Sequence, residues 1–348
     1  MSPFDAGLRR EQGMVTMQDV AERAGVAKST VSRVLSGKVR ISQRTRERVL
    51  AAVAELGFRP NGLAQALATQ SANAVGLVVS NFEGPYFGRL LRTLAKTVEE
   101  AGKQLMVTDG HDDPQKEAAA VELLVDRRCD AIILYSRFMS EADLTALSAR
   151  LPVPLVVMNR PLPDQPERCV VFQQARSTQA AMTHLIALGH RQIACISGPL
   201  HTLTARQRLA AYRAALTEAG LPVTETLEAE GNNLVDGGYR ACRSLLSRGV
   251  RFTALFACND DMAIGALRAL QEAGLKVPEQ VSLFGFDDAP AGAYLLPALS
   301  TVHLPIEQMA AAAVHQALAL AAGQPVAPLA PFDGILRLRE SVAPPCSR

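Results

Sequence analysis

The 348-residue chain contains no tryptophan, and aromatic residues make up only 5% of it. It also lacks any run of about 18 apolar residues, which excludes a membrane-spanning helix. The first 13 residues, MSPFDAGLRREQG, hold no apolar stretch long enough for a signal peptide. Residues 1–14 are therefore expected to be a disordered leader, or an extension upstream of a true start at Met14 or Met17. The six cysteines form no C-x-x-C pair and sit among apolar neighbours. This speaks for reduced thiols in a cytoplasm and against a disulfide frame or a zinc site. G-x-G-x-x-G, G-x-x-x-x-G-K-[ST], H-E-x-x-H and G-x-S-x-G are all missing, and the six histidines show no nucleophile–base spacing. A Rossmann-type enzyme survives only as an alternative without its usual phosphate turn, and no cofactor is called for. With 48% hydrophobic and 20% charged residues, the chain reads as an ordinary soluble protein of two or three domains.

What is present begins at Thr16. Thr16 and Asp19 stand at capping-box spacing before a helix that opens at Met17, and Val20, Ala21 and Ala24 share one face of it. Gly25 supplies a sharp turn. A second helix from about Ala27 to Leu35 docks through Val31, Val34 and Leu35, leaving Lys28, Ser29, Ser32 and Arg33 on its other face. Ser42 caps a third helix, and Gly57 suits its C-terminal turn. Three short helices with a tight turn between the first two read as a helix-turn-helix; a generic helical bundle with a solvated basic face is the other reading. Charge favours the former. Residues 1–72 hold 11 Lys and Arg against 6 Asp and Glu, while the rest holds 25 against 28. A basic head on a mildly acidic body is the footprint expected for a phosphate backbone.

The stretch DVAERAGVAKSTVSRVLSG with ISQRTRERVLAAVAELGFRPN resembles the head of the lactose-repressor/galactose-repressor family of bacterial transcription regulators. That resemblance implies that Lys28 and Ser29 read bases, with Thr16, Thr30, Ser32 and Arg33 supporting base and phosphate contacts. Ala27 departs from the family's usual capping Ser, which typically costs about 1 kcal/mol. The segment 61–72, with Leu63 and Leu67 as its large apolar residues, is by itself a marginal helix or a tether. The resemblance makes it a hinge helix in which Leu67 wedges a minor-groove step.

From Ala74 onward, short apolar runs such as AVGLVVSN, CDAIILYS, VPLVVMNR, RQIACISG, FTALFACND and VSLFGFDD alternate with amphipathic segments. This predicts an α/β body of two doubly wound parallel-sheet halves. The expected bounds are a head at 15–60, then a body at 73–340 whose first half is about 73–172 plus 305–340 and whose second is about 173–304. Ligands in such sheets bind at the carboxyl ends of the strands. The polar residues there are Ser80, Asn81, Asn159, Arg160, Asn259, Asp260, Asp261, Asp287 and Asp288, each of which also suits a plain turn or cap. The family resemblance covers the body, agrees with a periplasmic-binding-protein-like architecture, and selects Arg208, Asn259, Asp287 and Asn159 as effector contacts. Asn81 joins them. Asn232 and Asn233 stand where many sugar-binding members carry an aromatic platform, so Tyr86, Phe87 and Phe172 are the candidate stacking residues.

The implied protein is a cytoplasmic homodimer that binds a pseudo-palindromic double-stranded operator under control of a small sugar. RCDAIILYSRF, LVVSN and NDDMAIGALRAL look nearest to repressors of β-glucoside operons, which makes a β-glucoside the sharper expectation. A non-sugar effector such as a nucleobase is the alternative. No leucine heptads occur near the C-terminus, so no coiled-coil tetramer is expected. The body alone would also suit a secreted binding protein, a role that the basic head and the missing signal peptide oppose.

Overall fold

The computed structural model describes residues 15–36, 41–58 and 71–346. It divides into two units, residues 1–72 and 73–348.

In the first unit, α1 (Met17–Ala24) opens on a complete capping box: Asp19 N donates to the Thr16 hydroxyl, and Thr16 N donates to Asp19 Oδ2 at 2.7 Å. Gly25 ends the helix in the left-handed region at φ 59°. The second helix, α2, runs Lys28–Ser36, one residue later than the sequence suggests. Ala27 stands before it, its carbonyl accepting from Thr30 N and Val31 N while its methyl caps nothing. The third, α3 (Gln43–Leu56), begins at Ser42, whose hydroxyl accepts from Thr45 N. Val20, Ala21, Ala24, Val31, Val34, Val49, Ala52 and Phe58 form the buried core between the helices. Arg48 of α3 donates to the Ala24 and Gly25 carbonyls, placing a cation on the exposed C-terminal carbonyls of α1.

The second unit begins with β1 (Ala74–Val79), α4 (Gly84–Glu100), β2 (Gln104–Asp109), α5 (Pro114–Asp126), β3 (Ala131–Tyr135), α6 (Glu141–Arg150), β4 (Leu155–Met158) and β5 (Cys169–Val170). Its five parallel strands are ordered β2-β1-β3-β4-β5. A second lobe contains α7 (Gln174–Ala187), β6 (Ile193–Ser197), α8 (Leu203–Glu218), β7 (Glu228–Glu230), α9 (Val235–Ser247), β8 (Ala254–Ala257), α10 (Asp260–Glu272) and β9 (Ser282–Phe284). Here the parallel order is β7-β6-β8-β9. Continuous apolar strands such as AIILY and ALFA are buried along their whole length because helices cover both faces of each sheet.

An antiparallel ribbon of β10 (Thr301–His303) and β11 (Ile335–Arg337) runs between the lobes. The intervening α11 (Ile306–Ala321) packs on α4, β3 and β4 of the first lobe. The residues after β11 behave differently from α11: Glu340 N donates to the Ala298 carbonyl, and Leu283 N of β9 donates to the Ser341 carbonyl. The chain's end is thereby stitched to the second lobe. In both sheets the strand order reverses beside the second strand in the list, between β1 and β3 and between β6 and β8. The loops that leave these strands open a crevice between the lobes.

Candidate functional site

On the head, α2 turns Lys28, Ser29, Ser32 and Arg33 outward, while Val31 and Val34 are buried beneath them. Thr30 is half-buried, and the Thr16 hydroxyl is engaged with Asp19 in the cap. The contacts expected of Thr16 and Thr30 therefore meet competition from their structural roles. Arg44 and Arg46, exposed on the first turn of α3, add cations that the sequence reading did not single out. Leu67 lies outside the described residues.

The crevice of the body has a cavity volume of about 250 Å³, just below the roughly 300–1,000 Å³ that small-molecule sites span. Arg208, one and a half turns into α8, is its charged floor and is almost wholly buried. Its Nε donates to Gln174 Oε1 at 2.8 Å, Nη1 donates to the Cys258 carbonyl, and Nη2 lies 3.5 Å from Asp287 Oδ1. Beneath it the Phe286 ring centroid is 3.7 Å from the guanidinium carbon, a cation–π contact in a desolvated setting. Asp287 follows Phe286 in the crossover after β9, at φ 110°. Burial pushes its carboxyl up to about 6 despite the opposing pull of Arg208. Asp260, at the start of α10, is pushed to about 8 by burial and by Asp287; it accepts from Thr301 Oγ1 at 2.6 Å and Ala289 N at 2.7 Å. Asp261 beside it is raised by burial. Such a cluster offers acceptors, donors and one guanidinium fork at close quarters, suited to hydroxyl pairs.

Asn81, Tyr86, Phe87, Arg208, Asn259 and Asp287 all line this cavity. Asn81 is held by Asp112, to which its amide donates at 3.1 Å. The Asn259 amide is already occupied as the cap of α10: its oxygen accepts from Met262 N and its nitrogen donates to the Asn233 carbonyl. Asn232 and Asn233 also line the wall.

Two expected contacts are not at the cavity wall. Asn159 at φ 69° turns its amide to the Ser136 carbonyl (3.1 Å) and accepts from Thr204 Oγ1 (3.3 Å), so it ties the lobes together. Phe172 is buried edge-on against Phe286, with centroids 6.1 Å apart, and serves the crossover core. Ser80 and Arg160 are likewise buried: Ser80 donates to the Tyr135 carbonyl and Arg160 to the Met139 carbonyl. Asp288 faces His303 (2.9 Å) and Arg339 (2.6 Å) at the ribbon, where those two partners hold its carboxyl below the usual range against the effect of burial.

Several lining residues were missed in the sequence. Tyr135 completes an edge-to-face cluster with Tyr86 and Phe87, with centroids 5.3–5.6 Å apart. Phe138 and His201 face each other from opposite lobes. Gln174 orients Arg208. No local pattern marks these four, since each is brought in by long-range packing. Among the described residues no cluster is suited to hold a metal, and no helix is long and apolar enough to cross a membrane.

With this geometry in hand, the chain can be compared with known proteins. Residues 16–61 match the profile described as bacterial regulatory proteins, lacI family, and residues 182–342 match a periplasmic binding protein-like domain. The HTH-type transcriptional regulator AscG of Escherichia coli (strain K12) is 41% identical over 95% of this chain and 99% of its own length. The Lac repressor dimer bound to operator and the anti-inducer ONPF superposes with a TM-score of 0.87 at 31% identity, covering 95% of this chain and all of that one. The transcriptional regulator CelR in complex with cellobiose gives a TM-score of 0.71 at 31% identity, over 94% and 99% of the two chains.

Proposed function

Because the chain belongs to the lacI family of bacterial regulatory proteins, we propose that it is a cytoplasmic repressor of a carbohydrate operon, relieved or reinforced by a small sugar in the cleft. It is a DNA-binding regulator and not an enzyme. As in the Lac repressor, it acts as a dimer on an operator. The observation that carries the effector reading is the buried Arg208–Asp287 pair open to a cleft between two lobes. CelR's cellobiose supports a sugar, and a β-glucoside in particular, over a nucleobase.

DNA recognition falls to the exposed face of α2. Lys28 and Ser29 reach base edges and Ser32 and Arg33 the flanking backbone, with Thr16 and Thr30 in lesser parts and Leu67 as minor-groove wedge. Effector contacts fall to Asn81, Tyr86, Phe87, Arg208, Asn259 and Asp287. A ligand that touches both lobes favours one lobe arrangement over another. A tenfold to hundredfold preference supplies roughly 1.4–2.7 kcal/mol per site, within the usual range of allosteric coupling.

The test is a selection of bound DNA from a random pool, followed by calorimetry with a panel of sugars and nucleobases and by operator release. A pseudo-palindromic site whose occupancy responds to a sugar is expected. A response to nucleobases alone would refute the effector assignment.

A further inference from the structure

Asn73, Lys103 and Asp130 each stand immediately before a strand: Asn73 before β1, Lys103 before β2 and Asp130 before β3. These strands are neighbours, paired at Ala74↔Gln104 and Val75↔Ala131, so the three residues form a row across the amino ends of the first-lobe sheet. Asn81, Asp112 and Tyr135, which end or follow the same strands, line the cleft at the opposite edge.

The row is clasped by side chains. The Lys103 ammonium donates to the Asn73 amide oxygen at 3.2 Å and to the Asp130 carboxylate. The Asn73 amide nitrogen donates to the Gly102 carbonyl at 2.9 Å. The backbone adds two more ties: Gln104 N donates to the Asn73 carbonyl at 3.0 Å, and Asp130 N to the Ala74 carbonyl at 2.8 Å. Asn73 is at φ 52°, a left-handed conformation that asparagine adopts more readily than most residues. The Lys103 and Asp130 side chains are 24% and 14% exposed, so solvent screens the pair only in part.

The clasp sits where the chain passes from one unit to the other, Asn73 being the first residue of the second unit. Beyond it, β1 is buried along its whole length and paired on both edges. Its six residues span about 20 Å at roughly 3.3 Å each and end two positions before Asn81. A strand packed this closely moves as one piece with its sheet. Asn73 therefore follows the lobe, and the clasp decides how tightly.

We infer that Asn73, Lys103 and Asp130 form a rigid joint that passes a movement of the first lobe to the chain entering from the DNA-binding unit. The inference rests on the reading of the cleft as an effector site that controls operator binding. The three are positioning residues, separated from the cleft by the length of β1. Coupling between two sites exists only to the extent that the arrangement chosen at one is imposed on the other. With a slack joint each site still binds its own ligand, and neither senses the other.

Anisotropy of a labelled operator, recovered by selection from a random pool, tests this on the full-length protein with cellobiose, methyl β-glucoside and methyl β-galactoside as probes. In wild type a sugar is expected to change operator affinity by about 10- to 100-fold. Lys103→Met removes both ammonium ties, Asp130→Asn removes the charge that holds the ammonium, and Asn73→Gly keeps the left-handed turn without the amide. In each the factor should fall below about threefold, while operator affinity without sugar and calorimetric sugar affinity without DNA stay within about threefold of wild type. Arg150→Met, which breaks the exposed ion pair with Glu122 in the same lobe, should keep the full factor. A full factor in Lys103→Met and Asp130→Asn overturns the joint and leaves the effector reading intact, even if Asn73→Gly responds poorly. A loss of sugar affinity as large as the loss of response overturns it in favour of a general loosening of the lobe. No effect of any probe on wild type overturns the effector reading, and the joint with it.

Discussion

Replacing Arg208 by Met keeps an unbranched stem over Phe286 and removes the charge. Two consequences follow from the geometry. The Gln174 and Cys258 acceptors lose an ionised donor, and Asp287 loses the one cation that lowers its carboxyl most. In the wild type Asp287 titrates at about 6 against 3.8 for the free side chain. Its folded value is raised, so the associated stability is full below about 3.8 and is lost as pH rises through about 6. The difference of roughly two units corresponds to about 3 kcal/mol of penalty at neutral pH. Without Arg208 the folded value rises further, and the loss continues above pH 6. The destabilisation by Arg208→Met, compared with wild type in urea, should therefore be larger at pH 8 than at pH 5, by about 1.4 kcal/mol for each unit that Asp287 climbs. Sugar hydroxyls also lose a charged donor, worth about 1.5–3 kcal/mol, or roughly 10- to 150-fold in affinity. Operator binding measured by anisotropy should persist while the sugar response disappears. A pH-independent destabilisation, or a response at the wild-type sugar concentration, would refute the reasoning.

Lys28→Ala and Ser29→Ala should each change base preference in a binding selection, with about 1–3 kcal/mol lost at the contacted position; unchanged preference in both would remove α2 from base reading. Ala27→Ser places a hydroxyl within reach of Thr30 N and should raise head stability by about 1 kcal/mol, seen as a higher unfolding temperature; no gain would mean that the Ala27 backbone does not present its side chain to the cap. His190 donates Nε2–H to the Ala343 carbonyl at 3.0 Å and sets Nδ1 against the Thr253 hydroxyl at 2.9 Å, and burial lowers its affinity for a proton. Its contribution is therefore present above about pH 6.5 and lost as pH falls below that, so His190→Gln should flatten acid destabilisation in that window; an unaltered acid limb would dismiss it.

The head was legible because its signals are local. Thr16 with Asp19, Gly25, Ser42 and Gly57 each fix a helix end within four residues. The sheets were legible because strands buried on both faces must be apolar throughout. The edge strands are the exceptions: β2 has no fully buried residue, and β7, Glu228–Glu230, paired with β6, has a polar sequence that carries no such mark. The β10–β11 ribbon was also hidden, since three-residue strands that pair across more than thirty positions leave no period to read. At the cleft, strand ends told which residues stand near a ligand but not where their side chains point. Asn159 and Phe172 were drawn away by Thr204 and Phe286, partners from the second lobe that only the fold supplies. For the same reason Phe138 and His201 could not be paired beforehand.

The turn between α1 and α2 carries a different kind of consequence. Gly25 lies at φ 59°, and a Cβ added there would come within 2.8 Å of Arg48 Nη2, the atom that closes the end of α1. Position 25 is thus constrained by its own backbone, and a side chain there would also displace the guanidinium of a residue 23 positions away. Replacing Gly25 strains the backbone and makes the Arg48 guanidinium swing away from the carbonyls it holds, while shortening Arg48 keeps the glycine turn and only leaves those carbonyls open. Sequence drift in this head should therefore run freely over the outward face of α2, where operator preference resides, while the glycine that shapes the turn stays in place. A lineage could acquire new DNA addresses without ever rebuilding the reader.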